Sequence, residues 1–141
     1  MPKELFPTEK IIVHTDGGAR GNPGPAAIGV VIGDREYGKA IGETTNNVAE
    51  YHALIFGLQK VKQLLGKEKS KDAEIEACSD SELMVSQLNG AYKIKDEGLK
   101  ELFIEAWNLK QDFKSVRFIH IPREENKRAD ALVNRALDTL V

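Results

Sequence analysis

Four acidic residues are the part of this 141-residue sequence most able to do chemistry. They occur where the chain is predicted to change direction or to open a helix, at Asp16, Glu50, Asp80 and Asp130. Carboxylates that converge repel one another, so a protein that gathers them usually does so around divalent cations. Taken singly, each acid also has an ordinary interpretation as a turn residue, a helix N-terminal acid, an N-cap or a solvated helix residue. The question for function is therefore whether the four side chains meet.

The rest of the residue inventory narrows the chemistry that these acids could perform. Hard oxygen ligands without sulfur favour Mg²⁺ or Mn²⁺ over zinc. Two such ions ~3.5–4 Å apart can activate a water and stabilise the leaving oxygen of a phosphodiester. The sequence has no Cys/His nucleophile pair, no G-x-S-x-G elbow and no HExxH helix. GGARGNPG is not a phosphate-cradling loop, since no Gly-Lys-Ser/Thr closes it. The inventory therefore points to phosphoryl hydrolysis.

The elements that must position the acids begin with three predicted strands. KIIVHTD, roughly residues 10–16, has the continuous apolar run of a strand buried on both faces. GGARGNPGPA is predicted to be a turn because of its glycines, prolines and Asn22. AAIGVVIG and EYGKAIGE are then predicted as the second and third strands of an antiparallel meander.

Helices and strands alternate in the rest of the predicted chain. Residues about 46–65 give the clearest helix, with apolar residues three and four apart. After that helix come the polar connection GKEKSKDA, the strand AEIEACSD and the helix SELMVSQLNG. The helix DEGLKELFIEAWNLKQDF and the strand SVRFIHI follow. The last helix has an apolar stripe made of Ala129, Leu132, Val133, Ala136, Leu137 and Leu140. This order predicts one mixed sheet with helices packed on it.

Such a sheet would bring the acids to one edge, because sites form outside the carboxyl ends of parallel strands. Asp16 and Asp80 follow the first and fourth predicted strands. Glu50 is predicted to lie in the first turn of the long helix, and Asp130 early in the last helix. Only short connections are needed to place all four together.

Composition limits the class of protein. Hydrophobic residues make up 41% and charged residues 30%, and the net charge is -2, which is ordinary for a soluble globular protein. The single cysteine, Cys78, excludes an internal disulfide and suits a reducing cytosol. We therefore expect one domain over residues 1–141, with residues 1–9 as an N-terminal extension outside the core. We also expect a cytoplasmic monomer without a membrane segment or a small-molecule organic cofactor.

Four motifs carry a resemblance to a known family. They are TDGGARGNPGPAAIGVVI, TTNNVAEYHAL, CSDSELMVSQLNG and PREENKRADAL. In this order and spacing, over about residues 10–138, the chain resembles the type 1 ribonuclease H family. The resemblance implies an α/β fold of the ribonuclease H type, a five-stranded mixed sheet flanked by helices, in which a three-strand antiparallel meander is joined by two parallel strands. It also implies a metal-dependent endoribonuclease that hydrolyses the RNA strand of RNA–DNA hybrids with two Mg²⁺ or Mn²⁺ ions.

The resemblance also implies roles for the four acids. Asp16 would bridge both ions, and Asp130 would join it on the ion that activates the attacking water. Glu50 and Asp80 would hold the ion on the leaving-group side. Glu50 would in addition contact a ribose 2′-hydroxyl.

Further residues are implied to contact the substrate. Asn22, Asn46 and Asn47 would read 2′-hydroxyls in the minor groove, the feature that distinguishes RNA from DNA. Thr45 falls where the family contacts a DNA phosphate. Helix capping is the alternative for Thr45, Asn46 and Asn47, and capping by one of them is compatible with binding by the others.

The chain departs from better-known members of the family. No basic, aromatic protrusion interrupts the region around residues 85–100. The flexible loop that carries a histidine in many relatives is shortened here to PREEN, in which Arg123 is the better candidate for that role. His120 is expected to be structural, because it alternates within the strand SVRFIHI. Two other functions stay open: a non-catalytic module that binds hybrids or double-stranded RNA, and a nuclease of the wider superfamily that acts on another nucleic acid.

Overall fold

The computed structural model describes residues 10–140, and the predicted extension at residues 1–9 lies outside them. The elements in chain order are β1 (Lys10–Ala19), β2 (Gly24–Ile32), β3 (Arg35–Thr44), α1 (Asn46–Leu65), α2 (Lys67–Ser70), β4 (Glu74–Ser79), α3 (Glu82–Leu88), α4 (Glu97–Lys110), β5 (Ser115–His120), a 3-10 turn (Arg123–Glu125) and α5 (Lys127–Asp138). The predicted helix at 46–65 is confirmed. The short helix α2 was not predicted, because its sequence KEKS is polar throughout.

One mixed sheet contains all five strands, in the order β3-β2-β1-β4-β5. The first three strands form an antiparallel meander. Strand β4 runs parallel to β1, and β5 runs parallel to β4. Strand β1 is therefore central. The prediction that its apolar run is buried on both faces holds only in part, because Val13 is buried whereas Ile12 is 46% exposed. The predicted fold class is confirmed.

The predicted turn after Asp16 was too long. Strand β1 continues to Ala19, and its last three residues pair with Ile28, Ala27 and Ala26 of β2. Pro25 also lies within β2, opposite Glu43, because a proline at a position where no ladder donor is needed does not interrupt a strand. The turn itself occupies only residues 20–23, which the N–H of Arg20 closes by donating to the carbonyl oxygen of Pro25 at 2.8 Å.

Helices cover both faces of the sheet. Helices α1 and α4 share one buried cluster with Val13 and Val30, whereas α5 packs against Ala27 and Val31 on the opposite face. Burying each large aliphatic side chain in such a core contributes roughly 1.5–3 kcal/mol. The predicted apolar stripe of α5 is buried except at Ala136, which is half-buried, and at Leu140, which is 54% exposed because the helix ends at Asp138. Within residues 10–140, no helix combines the length and apolar character needed to cross a lipid bilayer.

A glycine sets the distance between β1 and α1. A Cβ atom at Gly17 would lie 2.3 Å from the backbone carbon and oxygen of Ala49. That separation is far inside van der Waals contact, so only glycine lets the helix come this close. The end of β1 therefore lies directly against the start of α1.

We expect Gly17→Ala to destabilise the protein by about 3 kcal/mol, the upper end for overpacking, because the obstacle is helix backbone that cannot rotate away. The measurement is urea unfolding. The matched control is Gly18→Ala, whose Cβ would meet Val133 Cγ1 only at 3.7 Å. Equal stability of the two variants would contradict the close approach.

Candidate active site

Asp16 and Glu50 meet at the contact between β1 and α1. Asp16 lies in β1 opposite Gly29 and is 7% exposed, and Glu50 is 9% exposed. Glu50 was expected in the first turn of α1, but that turn contains no acid and Glu50 begins the second. This offset lets Glu50 Oε1 accept a hydrogen bond from the N–H of Gly17 at 3.0 Å. The residue after Asp16 therefore holds Glu50 in place.

Asp80 follows directly after β4, as the sequence predicted. Its ordinary interpretation as an N-cap is wrong, because Ser81 caps α3 by accepting the N–H of Met84 at 3.2 Å. The Asp80 carboxylate therefore does not act as the cap of the helix that follows it. It lies half-buried at the end of the strand that runs parallel to β1.

The structure brings the predicted acids together. One carboxylate oxygen each from Asp16, Glu50 and Asp80 can be chosen so that all lie within 4.8 Å of one another. Asp130, in the first turn of α5, approaches Asp16 closely enough for a hydrogen bond between the two carboxyl groups. The side-chain amide of Asn134 donates to Asp130 at 3.4 Å to Oδ2 and 3.2 Å to the carbonyl oxygen. Three carboxyl groups, from β1, α1 and the residue after β4, thus form one cluster, and the carboxyl group of Asp130 from α5 lies beside Asp16.

Burial and mutual repulsion both disfavour the charged forms of these acids. Burial, then the charges of Asp80 and Asp130, raise the pKa of Asp16 from 3.8 to about 8. Burial, then the charges of Asp16 and Asp80, raise the pKa of Glu50 well above its ordinary value. The hydrogen bond from Gly17 and the positive charge of Arg123 lower the Glu50 pKa in part. Burial outweighs repulsion, whereas the sequence had suggested repulsion alone.

These properties fit a divalent cation. The donor set consists only of carboxylate oxygens, which Mg²⁺ and Mn²⁺ prefer. The raised pKa values of Asp16 and Glu50 show that the protein itself supplies too little positive charge to offset theirs. A cation would supply that charge, because a nearby positive charge favours the ionised carboxylate.

The polar residues predicted to contact substrate tie the β1–β2 turn to the start of α1. Asn22 Oδ1 accepts the N–H of Asn46 at 3.0 Å, and Asn46 Oδ1 accepts the N–H of Ala19 at 2.8 Å. Thr45 is the N-cap of α1, since its hydroxyl oxygen accepts the N–H of Val48 at 3.3 Å. The backbone N–H of Asn46, at the start of α1, is thus satisfied by the side chain of Asn22 from the β1–β2 turn. The sequence around Asn46 did not indicate this contact.

A groove of about 560 Å³ lies beside this helix start. Its lining includes four exposed residues, Asn47, Tyr92, Lys93 and Lys95. Two buried side chains that the sequence analysis missed, those of Tyr51 and Gln87, hold the loop that carries Lys93 and Lys95. The Tyr51 hydroxyl donates to Gln87 Oε1 at 2.7 Å, and Gln87 Nε2 donates to the Lys93 carbonyl oxygen at 3.4 Å. The signal in the sequence that could have identified this contact is Gln87, a polar residue on the apolar side of α3.

Arg123 and His120 were the candidates for the corner near Asp130. Arg123 lies in the 3-10 turn, close enough for its charge to act on Glu50. His120 ends β5 with an exposed side chain, so the packing that was expected of it is not seen. Arg123 is therefore the one of the two whose charge reaches the carboxylates.

Comparison with known proteins agrees with this architecture. A family model described as reverse transcriptase-like matches residues 14–136. A bifunctional protein of Mycobacterium tuberculosis is 38% identical over 136 residues, which span 92% of this chain and 36% of that protein. Ribonuclease HI of Halobacterium salinarum is 42% identical over 135 residues, which span 92% of this chain and 65% of that protein. This chain thus spans about a third of the length of the first curated relatives that it matches.

A solved structure shares both the fold and half of the sequence. The crystal structure of LC11-RNase H1 in complex with RNA/DNA hybrid matches with a TM-score of 0.86 and 51% identity, over 92% of this chain and 98% of that one. The strand order of the sheet, the four motifs and the family match all agree. This chain belongs to the type 1 ribonuclease H family.

Proposed function

We propose that this chain is a metal-dependent endoribonuclease that hydrolyses the RNA strand of RNA–DNA hybrids. The observation that carries the proposal is the convergence of Asp16, Glu50 and Asp80 within 4.8 Å, with Asp130 beside Asp16. Family relatives named ribonuclease HI and a related structure that holds an RNA/DNA hybrid support it.

The four carboxylates would hold two Mg²⁺ or Mn²⁺ ions, with Asp16 shared between them. Bound there, the ions would supply charge neutralisation and water activation for phosphodiester hydrolysis. The protein's own part is to hold its oxygens ready. Because Glu50 Oε1 accepts the N–H of Gly17, the carboxylate cannot rotate freely, and its second oxygen is the one available to an ion or a 2′-hydroxyl.

The amides of Asn22 and Asn46 support recognition of the RNA strand. Both amide oxygens already accept backbone N–H groups. Their NH₂ groups are therefore the atoms left to contact a ligand, and they would donate to 2′-hydroxyl oxygens in the minor groove. Asn47, exposed on the next helical position, would extend the same contact.

The capping role of Thr45 is compatible with the phosphate contact that the family resemblance implies. Its oxygen accepts the N–H of Val48, which leaves the hydroxyl hydrogen free to donate. Lys93 and Lys95 in the adjacent groove would attract the DNA strand by charge. Arg123 would contribute its positive charge near Glu50.

The remaining expectations stay predictions. They are a single domain over residues 1–141, a monomer, a cytoplasmic location and the absence of an organic cofactor. The buried free thiol of Cys78 is consistent with a reducing compartment.

Cleavage is the direct test. We expect the protein to cut the RNA strand of a labelled hybrid in Mg²⁺ or Mn²⁺, and Asp16→Asn to reduce the rate by about 10³-fold or more, as for loss of a central electrostatic group. Asp34→Asn, in the exposed β2–β3 turn, is the control and should cut normally. Binding without cleavage by the wild type in both metals would favour the non-catalytic module instead.

The pKa of Asp16 predicts how stability depends on pH in EDTA. The folded pKa is about 8 and the ordinary value is 3.8, so between these values the folded state holds the proton that the unfolded chain has lost. The free energy of unfolding should therefore decrease as pH rises from about 4 to about 8. Glu50 acts in the same direction.

Asp16→Asn should flatten this slope in urea unfolding and exceed the wild type in stability near pH 8, by on the order of a few kcal/mol. Adding Mg²⁺ to the wild type should recover stability mainly at the alkaline end, because the ion competes with protons for the same oxygens. Parallel pH profiles for wild type and variant would contradict the raised pKa.

Asn22→Asp separates recognition from folding. The new carboxylate can still accept the N–H of Asn46, so thermal stability should be retained. Loss of the NH₂ donor and the added negative charge should raise the KM for the hybrid about tenfold or more, which corresponds to roughly 1.4 kcal/mol. Asn108→Asp, exposed on α4, is the control for added charge. An unchanged KM for Asn22→Asp would remove Asn22 from the substrate contact.

A further inference from the structure

Asn126 lies immediately before α5 and is one of the most buried polar residues in the described chain, with 1% exposure. Its side chain does not cap the helix that it precedes. Instead, its Nδ2 donates to the carbonyl oxygen of Thr15 at 2.9 Å, across 111 positions of sequence. The usual local role of asparagine at a helix start is therefore replaced by a tertiary contact.

The carbonyl group that Asn126 binds stands at a special place in the sheet. Parallel pairing between β1 and β4 ends at Thr15 and Ser79. Beyond this pair, β4 offers no further residue to the ladder. A buried backbone carbonyl at a strand divergence needs another donor, and the Asn126 amide supplies one.

Both ends of this hydrogen bond adjoin catalytic-site carboxylates. Thr15 directly precedes Asp16. The carbonyl oxygen of Asn126 accepts the N–H of Asp130 at 3.1 Å, which makes Asn126 and Asp130 successive turns of the same helix start. One side chain thus joins the backbone beside Asp16 to the turn that carries Asp130.

The hydrogen bond from Asn126 to Thr15 leaves other polar atoms of the same two residues without a partner. Among the described residues, Asn126 Oδ1 and Thr15 Oγ1 are buried without a hydrogen-bond partner. An unpaired buried acceptor is unfavourable, and an apolar side chain of similar volume would avoid that penalty. The benefit of an amide at this position therefore lies in its donor, not in packing.

We propose that Asn126 is a positioning residue that holds Asp16 and Asp130 together against the repulsion between their ionised forms and so prepares the site for cations. The inference rests on the proposed function of the four carboxylates. Without the amide, the start of α5 would be free to move away from β1. The two carboxylates would then separate, and an ion would have to draw them together on binding, which weakens its apparent affinity.

Two variants and one control test this role. Asn126→Ala removes most of the side chain, and Asn126→Leu removes the donor while retaining the branched shape. The control is Asn89→Ala, because Asn89 also donates its side-chain amide to a strand carbonyl, that of Phe118 at 3.1 Å, but stands outside the carboxylate cluster. Calorimetric titration with Mn²⁺ in the absence of nucleic acid gives the affinity. Amide hydrogen exchange at Asp130 reports motion of the α5 start.

Both Asn126 variants should bind Mn²⁺ about tenfold more weakly than the wild type and exchange the Asp130 amide faster. Their kcat for hybrid cleavage should fall at limiting Mn²⁺ and recover at excess Mn²⁺, with an unchanged KM for the hybrid. Asn89→Ala should lose thermal stability but keep the wild-type Mn²⁺ affinity. Asn126→Leu provides the decisive comparison if Asn126→Ala does not fold, since it leaves no cavity in the core.

Mn²⁺ affinity of Asn126→Leu within twofold of the wild type would overturn the positioning role. Equal weakening by Asn89→Ala would also overturn it, because general destabilisation would then explain the loss. Failure of the wild type itself to bind Mn²⁺ would be a failure of the proposed function, and the wild-type titration separates that result from the others.

Discussion

The concentration of buried carboxyl groups is the constraint on which the rest of the structure depends. Asp16 and Glu50 are nearly buried, and burial does more than mutual repulsion to raise their pKa values. Such a site can exist only if neighbouring elements hold the carboxylates where they would not remain by themselves. The fold does this with short tertiary contacts from backbone and amide groups, of which the bond from the Gly17 N–H to Glu50 is the most direct.

Two glycines let helices approach the sheet from opposite faces at the level of Asp16. A Cβ at Gly17 would collide with the backbone of Ala49, and a Cβ at Gly29, which pairs with Asp16, would lie 2.2 Å from the Ala129 carbonyl oxygen. Ala49 precedes Glu50 and Ala129 precedes Asp130. In both cases the closest backbone contact of the helix is next to its carboxylate, so the glycines determine how near the acids come to Asp16.

Sequence patterns predicted the elements well because apolar spacing follows the period of helix and strand. The helix at 46–65, the mixed sheet and the meeting of the acids were predicted, whereas the strand order β3-β2-β1-β4-β5 was not. What the patterns could not provide are contacts between distant segments. The extension of β1 through Gly17 depends on its pairing with β2, and the hydrogen bonds of Asn22 and Asn126 span 24 and 111 positions. The same limit explains why Asp80 was given a local capping alternative that Ser81 in fact fulfils.

The first two turns of α1 connect the parts of the proposed function. Thr45 and Asn46 begin the helix beside the β1–β2 turn, Glu50 joins the carboxylates, and Tyr51 reaches Gln87 and thereby the Lys93 loop. Residues on one rigid helix keep constant separations. A duplex whose RNA strand contacts the asparagines and whose other strand lies in the lysine groove would therefore meet Glu50 at a set depth. In the proposed function, selection for an RNA strand and placement of its phosphodiester at the carboxylates would then both follow from a single docking geometry, because both sets of contacts would come from the same rigid helix.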